Sequence, residues 1–161
     1  MRSPADASVT ITLTGMEDID GTIVRLLSAD GRLSFTDLGR ATGLSTSAAH
    51  QRVKRLEQRG VITGYGAHID HEAVGLPLAA FVSIRPIDPG EPDDSPERLR
   101  SLPEIEACYS VAGDESYILL VRVASPAALE DLLARIRAAA NVSTRTTIVL
   151  STPYERRAPA V

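Results

Sequence analysis

The stretch between residues 34 and 62 constrains the chain most, because its local signals define two short helices and the turn between them. Ser34 is a favourable N-cap for the first helix, and Gly43 supplies a tight turn after that helix. Ser45 caps the second helix, and Gly60 is a natural left-handed residue just beyond its end. This order of cap, turn and cap predicts a helix-turn-helix unit.

A helical wheel divides the second helix into three faces. The face expected to contact the first helix is apolar and consists of Ala49, Val53 and Leu56. The opposite face is polar and consists of Ser47, His50, Gln51 and Lys54. The flank between them is cationic and consists of Arg52, Arg55 and Arg59. This arrangement suits the major groove of DNA, where a polar front contacts base edges and a cationic flank holds phosphates.

We therefore predict that the second helix binds double-stranded DNA. The predicted contact residues are Ser45, Thr46, Ser47, His50, Gln51, Arg52, Lys54 and Arg55. The alternative is a charged, solvated helix face, which is what most runs of charge on a helix are. Because a preceding helix, a glycine turn and a serine cap accompany this helix, the combination favours the DNA-binding interpretation.

The distribution of charge also favours DNA binding, although the formal net charge of the chain is −4. Residues 1–66 carry eight Arg and Lys against seven Asp and Glu, whereas residues 67–161 carry nine against fourteen. Within residues 45–60 there are four cations and one acid, so positive charge is concentrated on the predicted recognition helix. With so small an excess, we expect weak and strongly salt-dependent non-specific DNA binding.

Length and composition exclude several classes of protein. The 161 residues allow one average domain or two small ones, and no apolar run approaches the roughly 20 residues of a membrane span. Residues 1–15 lack the apolar segment of a secretory signal and are interpreted as a disordered tail. The single Cys108 cannot form an internal disulfide and is predicted to be a small packed residue. We expect no membrane partner and a cytoplasmic, nucleoid-associated protein.

The hydrophobic pattern changes along the chain and predicts an α+β protein of two domains. Apolar residues recur at helical spacing before Asp30, giving a supporting first helix, whereas from Leu76 they alternate. The alternating part has the order β-α-β-β-α-β, which is the ferredoxin-like arrangement. The predicted segments are a tail (1–15), a winged-helix-like helix-turn-helix domain (16–62), a hinge (63–75), a ferredoxin-like regulatory, ligand-binding and oligomerisation domain (76–151) and a second tail (152–161).

The sequence does not favour a metal site or an enzyme. His68, Asp70 and His71 lie close together in the predicted hinge, but their spacing matches no common zinc pattern, so a polar linker is the preferred interpretation. No Ser or Cys nucleophile lies beside a plausible base, and there is no glycine-rich phosphate loop. We predict no catalytic residues, no metal and no cofactor.

Several short motifs follow one another in a specific order. In the first half they are Asp18-Ile19-Asp20, Ala29-Asp30-Gly31-Arg32, Gly43-Leu44-Ser45, Arg52-Val53-Lys54-Arg55-Leu56-Glu57 and Gly60-Val61-Ile62. In the second half they are Val111-Ala112-Gly113-Asp114, Tyr117-Ile118-Leu119, Thr144-Arg145-Thr146 and Ile148-Val149-Leu150. Over roughly residues 16–150 the chain resembles the Lrp/AsnC family, the leucine-responsive or feast/famine regulators of bacteria, and it looks most like actinobacterial members.

The resemblance implies a sequence-specific transcriptional regulator of amino-acid metabolism. Its second domain would form homodimers, often assembled into octamers, and would bind an amino acid between C-terminal domains that modulates DNA binding or assembly. The implied ligand positions are Gly113, Asp114, Glu115, Ser116, Tyr117, Thr144 and Thr146. A dimer would present two recognition helices about 34 Å apart to a pseudo-palindromic promoter site.

The chemistry of these positions suits a free amino acid. Asp114 or Glu115 could meet the ammonium, while backbone N–H groups of residues 113–116 and a threonine hydroxyl could meet the carboxylate. Gly113 would permit close backbone approach, so a side chain there should block entry. From the residues alone, the alternative is that this loop is merely a hairpin turn.

Two other functions remain open from the sequence. One is an architectural DNA-binding regulator that needs no effector. The other is a small-molecule sensor whose helical unit contacts protein instead of DNA. The polar front of the second helix argues against the sensor, because it would make a poor hydrophobic interface but a good partner for a DNA groove.

Overall fold

The computed structural model describes residues 18–88, 90 and 92–161, and it divides into two compact units. The first unit comprises the chain up to Ala67 together with Tyr154–Val161, and the second comprises His68–Pro153. The predicted tail of residues 1–15 lies outside the described residues. Each unit has an apolar core of its own.

Three helices form the first unit, namely α1 (Asp18–Ala29), α2 (Phe35–Thr42) and α3 (Thr46–Gln58). The buried core that they share consists of Ile23, Leu38, Ala49, Val53 and Leu56. The last three of these residues are the apolar face that the helical wheel predicted for α3. That prediction is confirmed, so the polar face of α3 is directed away from the core of its own unit.

The predicted caps and turn of the helix-turn-helix are confirmed. Ser34 Oγ accepts a hydrogen bond from the Asp37 N–H at 3.1 Å, and Ser45 Oγ accepts one from the Ala48 N–H at 3.2 Å. Gly43 has φ 71°, the left-handed conformation that lets α2 end and α3 begin three residues later. The angle between the two helices is therefore set by local hydrogen bonds and one glycine.

The chain after α3 turns back over the helix end instead of forming a strand. Gly60 has φ 70°, and the N–H groups of Val61 and Ile62 both donate to the Leu56 carbonyl, at 2.9 and 3.2 Å. This is a C-terminal helix cap, and residues 61–67 contain no strand. From the sequence, Val61, Ile62 and Tyr65, interrupted by glycines, predict either a short strand or a hinge, and the strand is wrong.

The second unit contains a four-stranded antiparallel sheet and two helices. Its elements are β1 (Leu78–Pro86), α4 (Ser95–Leu99), β2 (Ile105–Ser110), β3 (Tyr117–Val123), α5 (Pro126–Ala140) and β4 (Val142–Ile148). The strand order across the sheet is β2-β3-β1-β4. The predicted β-α-β-β-α-β order is confirmed. Asparagine tolerates the left-handed conformation, so the sequence predicts that Asn141 ends α5, and it does so with φ 51°.

Strand β1 begins two residues later than the alternation predicted. The sequence pattern places its start at Leu76, whereas the first paired residue is Leu78, opposite Val123 at the end of β3. Because β3 ends there, the alternating residues before Leu78 have no β3 partner to pair with. Hydrophobic alternation marks which residues suit a strand, but the length of the neighbouring strand determines where pairing ends.

Both helices of the second unit lie on one face of the sheet. The core joins residues from α4 and α5 to the inward side chains of the strands and comprises Ala80, Val82, Ile84, Leu99, Leu119, Val121, Val123, Leu129, Leu132, Ile136, Ala140 and Val142. On the opposite face, Phe81 lies across from Leu120, and Tyr109 lies across from Ile118. We call these four residues the open sheet face. Phe81 is 42% exposed and Tyr109 is 53% exposed.

Cys108 is not the packed residue that its apolar context predicted, because it is exposed. It lies on β2, the edge strand of the sheet, opposite buried Leu119. The helix on that side, α4, has only five residues. A short helix beside an edge strand leaves a groove between them, and the Cys108 side chain lines it.

Candidate functional site

The DNA-binding residues predicted on α3 form one surface of the first unit. Seven of the eight are exposed, namely Ser45, Thr46, Ser47, His50, Gln51, Lys54 and Arg55. Two hydroxyls at the start of this surface already make contacts, because Ser45 Oγ caps α3 and Thr46 Oγ1 lies 3.5 Å from Thr36 Oγ1 of α2. The surface therefore presents hydroxyl, amide, imidazole and cationic groups from one rigid helix.

Arg52 is the exception, because its guanidinium points toward α1. Its Nη1 donates to Asp20 Oδ1 at 2.8 Å, and the two side chains are only 19% and 13% exposed. From the sequence, Asp20 is expected to favour the start of α1 through the helix dipole, and Arg52 is expected on the phosphate-binding flank of α3. This ion pair links α3 to α1 and gives Arg52 a structural role that the sequence did not indicate.

His50 makes an aromatic contact that the sequence analysis missed. Its ring lies 4.7 Å, centroid to centroid, from the ring of Phe35 at the start of α2, with an interplanar angle of 54°. Phe35 is 39% exposed, which is unusual for so large an apolar side chain. The only sequence signal was an aromatic residue directly after an N-cap, where no core position is expected.

Part of the predicted ligand site is brought together in the second unit. A concavity of about 260 Å³ is lined by Ser83, Ile84, Arg85, Asp114, Glu115, Ser143, Thr144 and Arg145. It contains three of the predicted ligand residues: Asp114, Glu115 and Thr144. Gly113 adjoins them in the loop between β2 and β3 and has φ 149°, within the region that favours glycine.

Two predicted ligand residues lie away from this concavity. Tyr117 lines the groove beside α4, and its hydroxyl donates to Asp93 Oδ2 at 3.0 Å. That hydrogen bond, followed by partial burial, raises the pKa of Tyr117 above its usual value. Thr146 pairs with Val82 in the sheet register and is half-buried on the side of the sheet that the helices cover.

The backbone of the loop is less available than expected. The Ser116 N–H donates to the Ile84 carbonyl at 3.0 Å, and the Ser116 carbonyl accepts from the Val111 N–H at 3.1 Å. This amide therefore already has a partner within the sheet. A carboxylate in the concavity would need a donor other than the Ser116 N–H.

Two arginines that the sequence did not indicate place side-chain donors in the lining of this concavity. Arg145 on β4 and Arg85 on β1 both line the concavity, and Arg145 forms an ion pair with Glu115. Arg145 lies between Thr144 and Thr146, so the twofold period of a strand directs its side chain to the other face. The period alone could not identify it, because Arg145 and Arg85 share a concavity only once β1 and β4 have paired.

The larger concavity of the second unit is the groove between α4 and β2, with a volume of about 540 Å³. Its floor is apolar, and Cys108 lies on its wall. Partial burial of the thiol, and then the negative charge of Glu97, raise the pKa of Cys108. A thiol with a raised pKa stays protonated at neutral pH and is a poor nucleophile.

The hinge histidines form no metal centre within the described residues, where no group of three His, Cys, Asp or Glu side chains comes together. His71 Nδ1 instead lies 3.6 Å from Glu106 Oε1, and Glu106 also accepts a hydrogen bond from Arg122 Nε at 3.0 Å. Among the helices in the described part of the chain, none has the length and apolarity to cross a bilayer.

Comparison with known proteins bears on both units. The profile of the AsnC-type helix-turn-helix domain matches residues 16–57, and that of the Lrp/AsnC ligand binding domain matches residues 79–159. The chain is 59% identical over 142 residues to the HTH-type transcriptional regulator LrpA of Mycobacterium tuberculosis. The aligned residues cover 88% of this chain and 95% of the relative. It is 39% identical over 121 residues to the leucine-responsive regulatory protein of Haemophilus influenzae. The aligned residues cover 73% of this chain and 72% of that relative.

Solved structures agree with these relatives. The feast or famine regulatory protein of M. tuberculosis, complexed with L-methionine, is 59% identical, with a TM-score of 0.85 over 89% of this chain and 99% of that one. Bacillus subtilis LrpC is 31% identical, with a TM-score of 0.78 over 85% and 96%. The expected resemblance, including its actinobacterial character, is confirmed. This chain belongs to the Lrp/AsnC family of helix-turn-helix transcriptional regulators.

Proposed function

We propose that the chain binds specific promoter sites through the exposed face of α3 and regulates genes of amino-acid metabolism. We further propose that an amino acid bound in the concavity of the second unit modulates DNA binding or assembly. Because its target would be genomic DNA, we expect it to act in the cytoplasm, at the nucleoid.

The observation that carries the DNA-binding proposal is the composition of the exposed α3 surface. Gln51 and His50 offer donors and acceptors that can hydrogen-bond base edges, whereas Lys54 and Arg55 offer cations for phosphates. The apolar face of the same helix is buried against α1 and α2, so the polar face is held on a rigid support. Rigid support matters because loose side chains lose affinity through the entropy of ordering.

The experiment is binding of the purified protein to DNA from upstream of its own and neighbouring genes, measured by mobility shift and fluorescence anisotropy at several salt concentrations. We expect Arg55→Ala to weaken binding to all sequences and to reduce the salt slope by about one. Arg98→Ala removes the same charge from α4 in the second unit and is the matched control. An unchanged affinity and salt slope for Arg55→Ala would contradict this use of α3.

Arg52→Ala is expected to behave differently from Arg55→Ala. Because Arg52 is paired with Asp20, its removal should lower the free energy of unfolding by about 1–3 kcal/mol as well as weaken binding. Thermal melting separates the two effects, since exposed Arg55 contributes little to stability.

The effector proposal rests on opposite charges that face one concavity. Asp114 and Glu115 suit an ammonium, and Arg145 and Arg85 suit a carboxylate, so the lining offers partners for both charged groups of an amino acid. Gly113 and Ser116 adjoin this lining, whereas Tyr117 and Thr146 are not expected to touch the ligand. A relative of similar structure is known in complex with L-methionine, which supports an amino acid as the ligand class.

The effector test is calorimetry and DNA binding with each of the twenty amino acids, using the wild type, Gly113→Thr and Gly113→Ala. Both variants carry the strain of φ 149°, but only threonine adds bulk beyond Cβ. We expect Gly113→Thr to lose binding and Gly113→Ala to retain it. Should Gly113→Thr fail to fold, Asp114→Asn and Arg145→Ala test the same lining. DNA binding indifferent to every amino acid would favour an effector-independent regulator.

We also propose that a second copy of the chain covers the open sheet face, giving a homodimer able to assemble further into an octamer. Phe81, Tyr109, Ile118 and Leu120 are contiguous across three strands. Both described helices of the unit lie on the other face, so within one chain these side chains remain in contact with water. Exposed apolar patches of this kind mark protein interfaces. A dimer would also match a pseudo-palindromic site.

A further inference from the structure

An exposed aromatic contact at the front of α3 is not explained by the core of the first unit. Phe35 is the first residue of α2, and its ring contacts the His50 ring at 4.7 Å between centroids. The buried cluster of the unit and the partly buried residues around it, within the described chain, do not include Phe35. Its ring therefore contributes to something other than the apolar core.

The backbone holds Phe35 in a fixed place. Ser34 caps α2 directly before it, and Ser34 Oγ also donates to Asp37 Oδ2 at 2.6 Å. Directly after Phe35, Thr36 Oγ1 lies 3.5 Å from Thr46 Oγ1 at the start of α3. The starts of both helices are therefore capped and lie side by side. These contacts fix the position of the Phe35 backbone relative to the start of α3.

The contact restricts a side chain that would otherwise be mobile. An exposed histidine on a helix exchanges between rotamers on a fast timescale, and ordering it on DNA costs entropy. A tilted aromatic pair at this separation is attractive and favours one rotamer of His50 before DNA is bound. Imidazole can donate and accept hydrogen bonds, so its orientation determines which groups of the DNA it can contact.

We propose that Phe35 is a positioning residue for DNA recognition, which acts by holding the His50 imidazole in its DNA-facing orientation. This inference rests on the proposed function of α3. It assigns a role to Phe35, which lies on the preceding helix α2 and is not part of the recognition surface. Direct contact of the Phe35 ring with a thymine methyl group is the competing explanation, and it predicts a different result in the experiment below.

The test is a double-mutant cycle on the full-length protein, with Phe35→Ala, His50→Ala and the double variant. Affinity is measured for the best promoter site and for a scrambled duplex. We expect Phe35→Ala to weaken specific binding about two- to tenfold, the range of an aromatic pair, with scrambled DNA unaffected. In the His50→Ala background, Phe35→Ala should have no further effect. An equal loss in both backgrounds, or no loss in either, would overturn the inference.

A second readout separates positioning from stability. The Phe35 ring should shift the imidazole proton resonances of His50 in the free protein, with His68 and His71 as internal references and His50→Gln for assignment. Phe35→Leu keeps an apolar side chain without the ring. It should remove the shift and the specific affinity together while thermal melting changes little, and Phe35→Tyr should restore both. Unperturbed His50 resonances in the wild type would overturn the positioning role.

The result also distinguishes the inference from the proposal that it depends on. If the wild type bound no DNA specifically, the proposed function would fail and this inference with it. If the wild type bound specifically and the two substitutions were additive, only the positioning role of Phe35 would be overturned.

Discussion

Glu104 and Arg135 join the start of β2 to α5 through charge-assisted hydrogen bonds. Arg135 Nη1 donates to Glu104 Oε2 at 3.3 Å, Nη2 donates to the other carboxylate oxygen, and Nε donates to Asp131 Oδ2 at 2.8 Å. The hydrogen bonds from Arg135 are the largest cause that lowers the pKa of Glu104 below its usual 4.5, against an opposing effect of partial burial. The carboxylate is therefore favoured in the folded state.

This shift has a defined consequence for stability. A carboxyl group whose pKa is lowered by folding stabilises the protein above its unfolded pKa, and the contribution is lost as the pH falls through its folded pKa. We expect Glu104→Gln to be less stable than the wild type at pH 7, with the difference shrinking below about pH 4.5. Urea denaturation at both pH values measures it, with Glu130→Gln on the exposed face of α5 as control. If the loss of stability in Glu104→Gln were the same at both pH values, its cause would be packing and not charge.

Single residues divide into those that the sequence could predict and those that it could not. Ser34, Gly43 and Asn141 were predicted correctly because a cap or a left-handed turn depends on neighbours within a few residues. The partner of Arg52 and the exposure of Cys108 depend on which other element faces each residue. The partner of Arg52 is 32 positions away on α1, and Cys108 is exposed because the helix beside it is short.

Two glycines are required for different reasons where α2 leads into α3: Gly39 lies within α2, and Gly43 lies in the turn after it. A Cβ at Gly39 would lie 2.6 Å from the Leu44 carbonyl oxygen, while the Leu44 N–H donates to the Gly39 carbonyl at 2.9 Å. Gly43 has open space around it but φ 71°. At Gly39 the two helices approach too closely for a side chain, whereas at Gly43 only the backbone conformation is demanding.

We predict that Gly39→Ala destabilises the first unit more than Gly43→Ala. The first substitution should cost about 2–3 kcal/mol, because backbone must move, and the second about 1–2 kcal/mol, from the left-handed conformation. Gly43→Asn should recover part of the latter cost, since asparagine tolerates that conformation. Denaturation of each variant, followed through the loss of its DNA-binding activity, measures the destabilisation that each substitution causes. A larger cost for Gly43→Ala would show that close approach is not the constraint.

At the level of elements, periodicity predicted the helices and strands but not their limits or their surroundings. The order of elements in the second unit followed from the change of period after the hinge, and the structure confirms it. The start of β1 was wrong by two residues because its pairing partner ends at Val123. The candidate ligand concavity likewise depends on pairing that periodicity does not specify. Arg85 and Arg145 come to line it together only after β1 and β4 have paired.

The second unit has an apolar sheet face, the open sheet face, that its described helices do not cover. Along each strand the residues of the open sheet face alternate with core residues, so the sequence alone gave them no distinct signal. Their exposure became visible only when both helices were found on the other side. For the dimer proposed above, the occupant of this face is the same face of a second copy.

We predict that Phe81→Asp yields a folded monomer. The aspartate would introduce a charge at the centre of the open sheet face, where it is tolerated in water but costly once a second copy excludes water. Ile87→Asp makes the same change at a 64% exposed residue just beyond β1 and should leave the assembly intact. Light scattering coupled to size-exclusion chromatography gives the mass of each, and circular dichroism checks the fold.

The same two variants connect assembly to DNA binding. A dimer gains affinity for two half-sites because the second binding event is intramolecular, whereas a monomer does not. Phe81→Asp should therefore lose most of its preference for a duplex with two half-sites over a duplex with one, and Ile87→Asp should keep it. A Phe81→Asp protein that remained dimeric would place the interface elsewhere. If it were monomeric yet kept the preference for two half-sites, assembly through this face would not be what pairs the recognition helices.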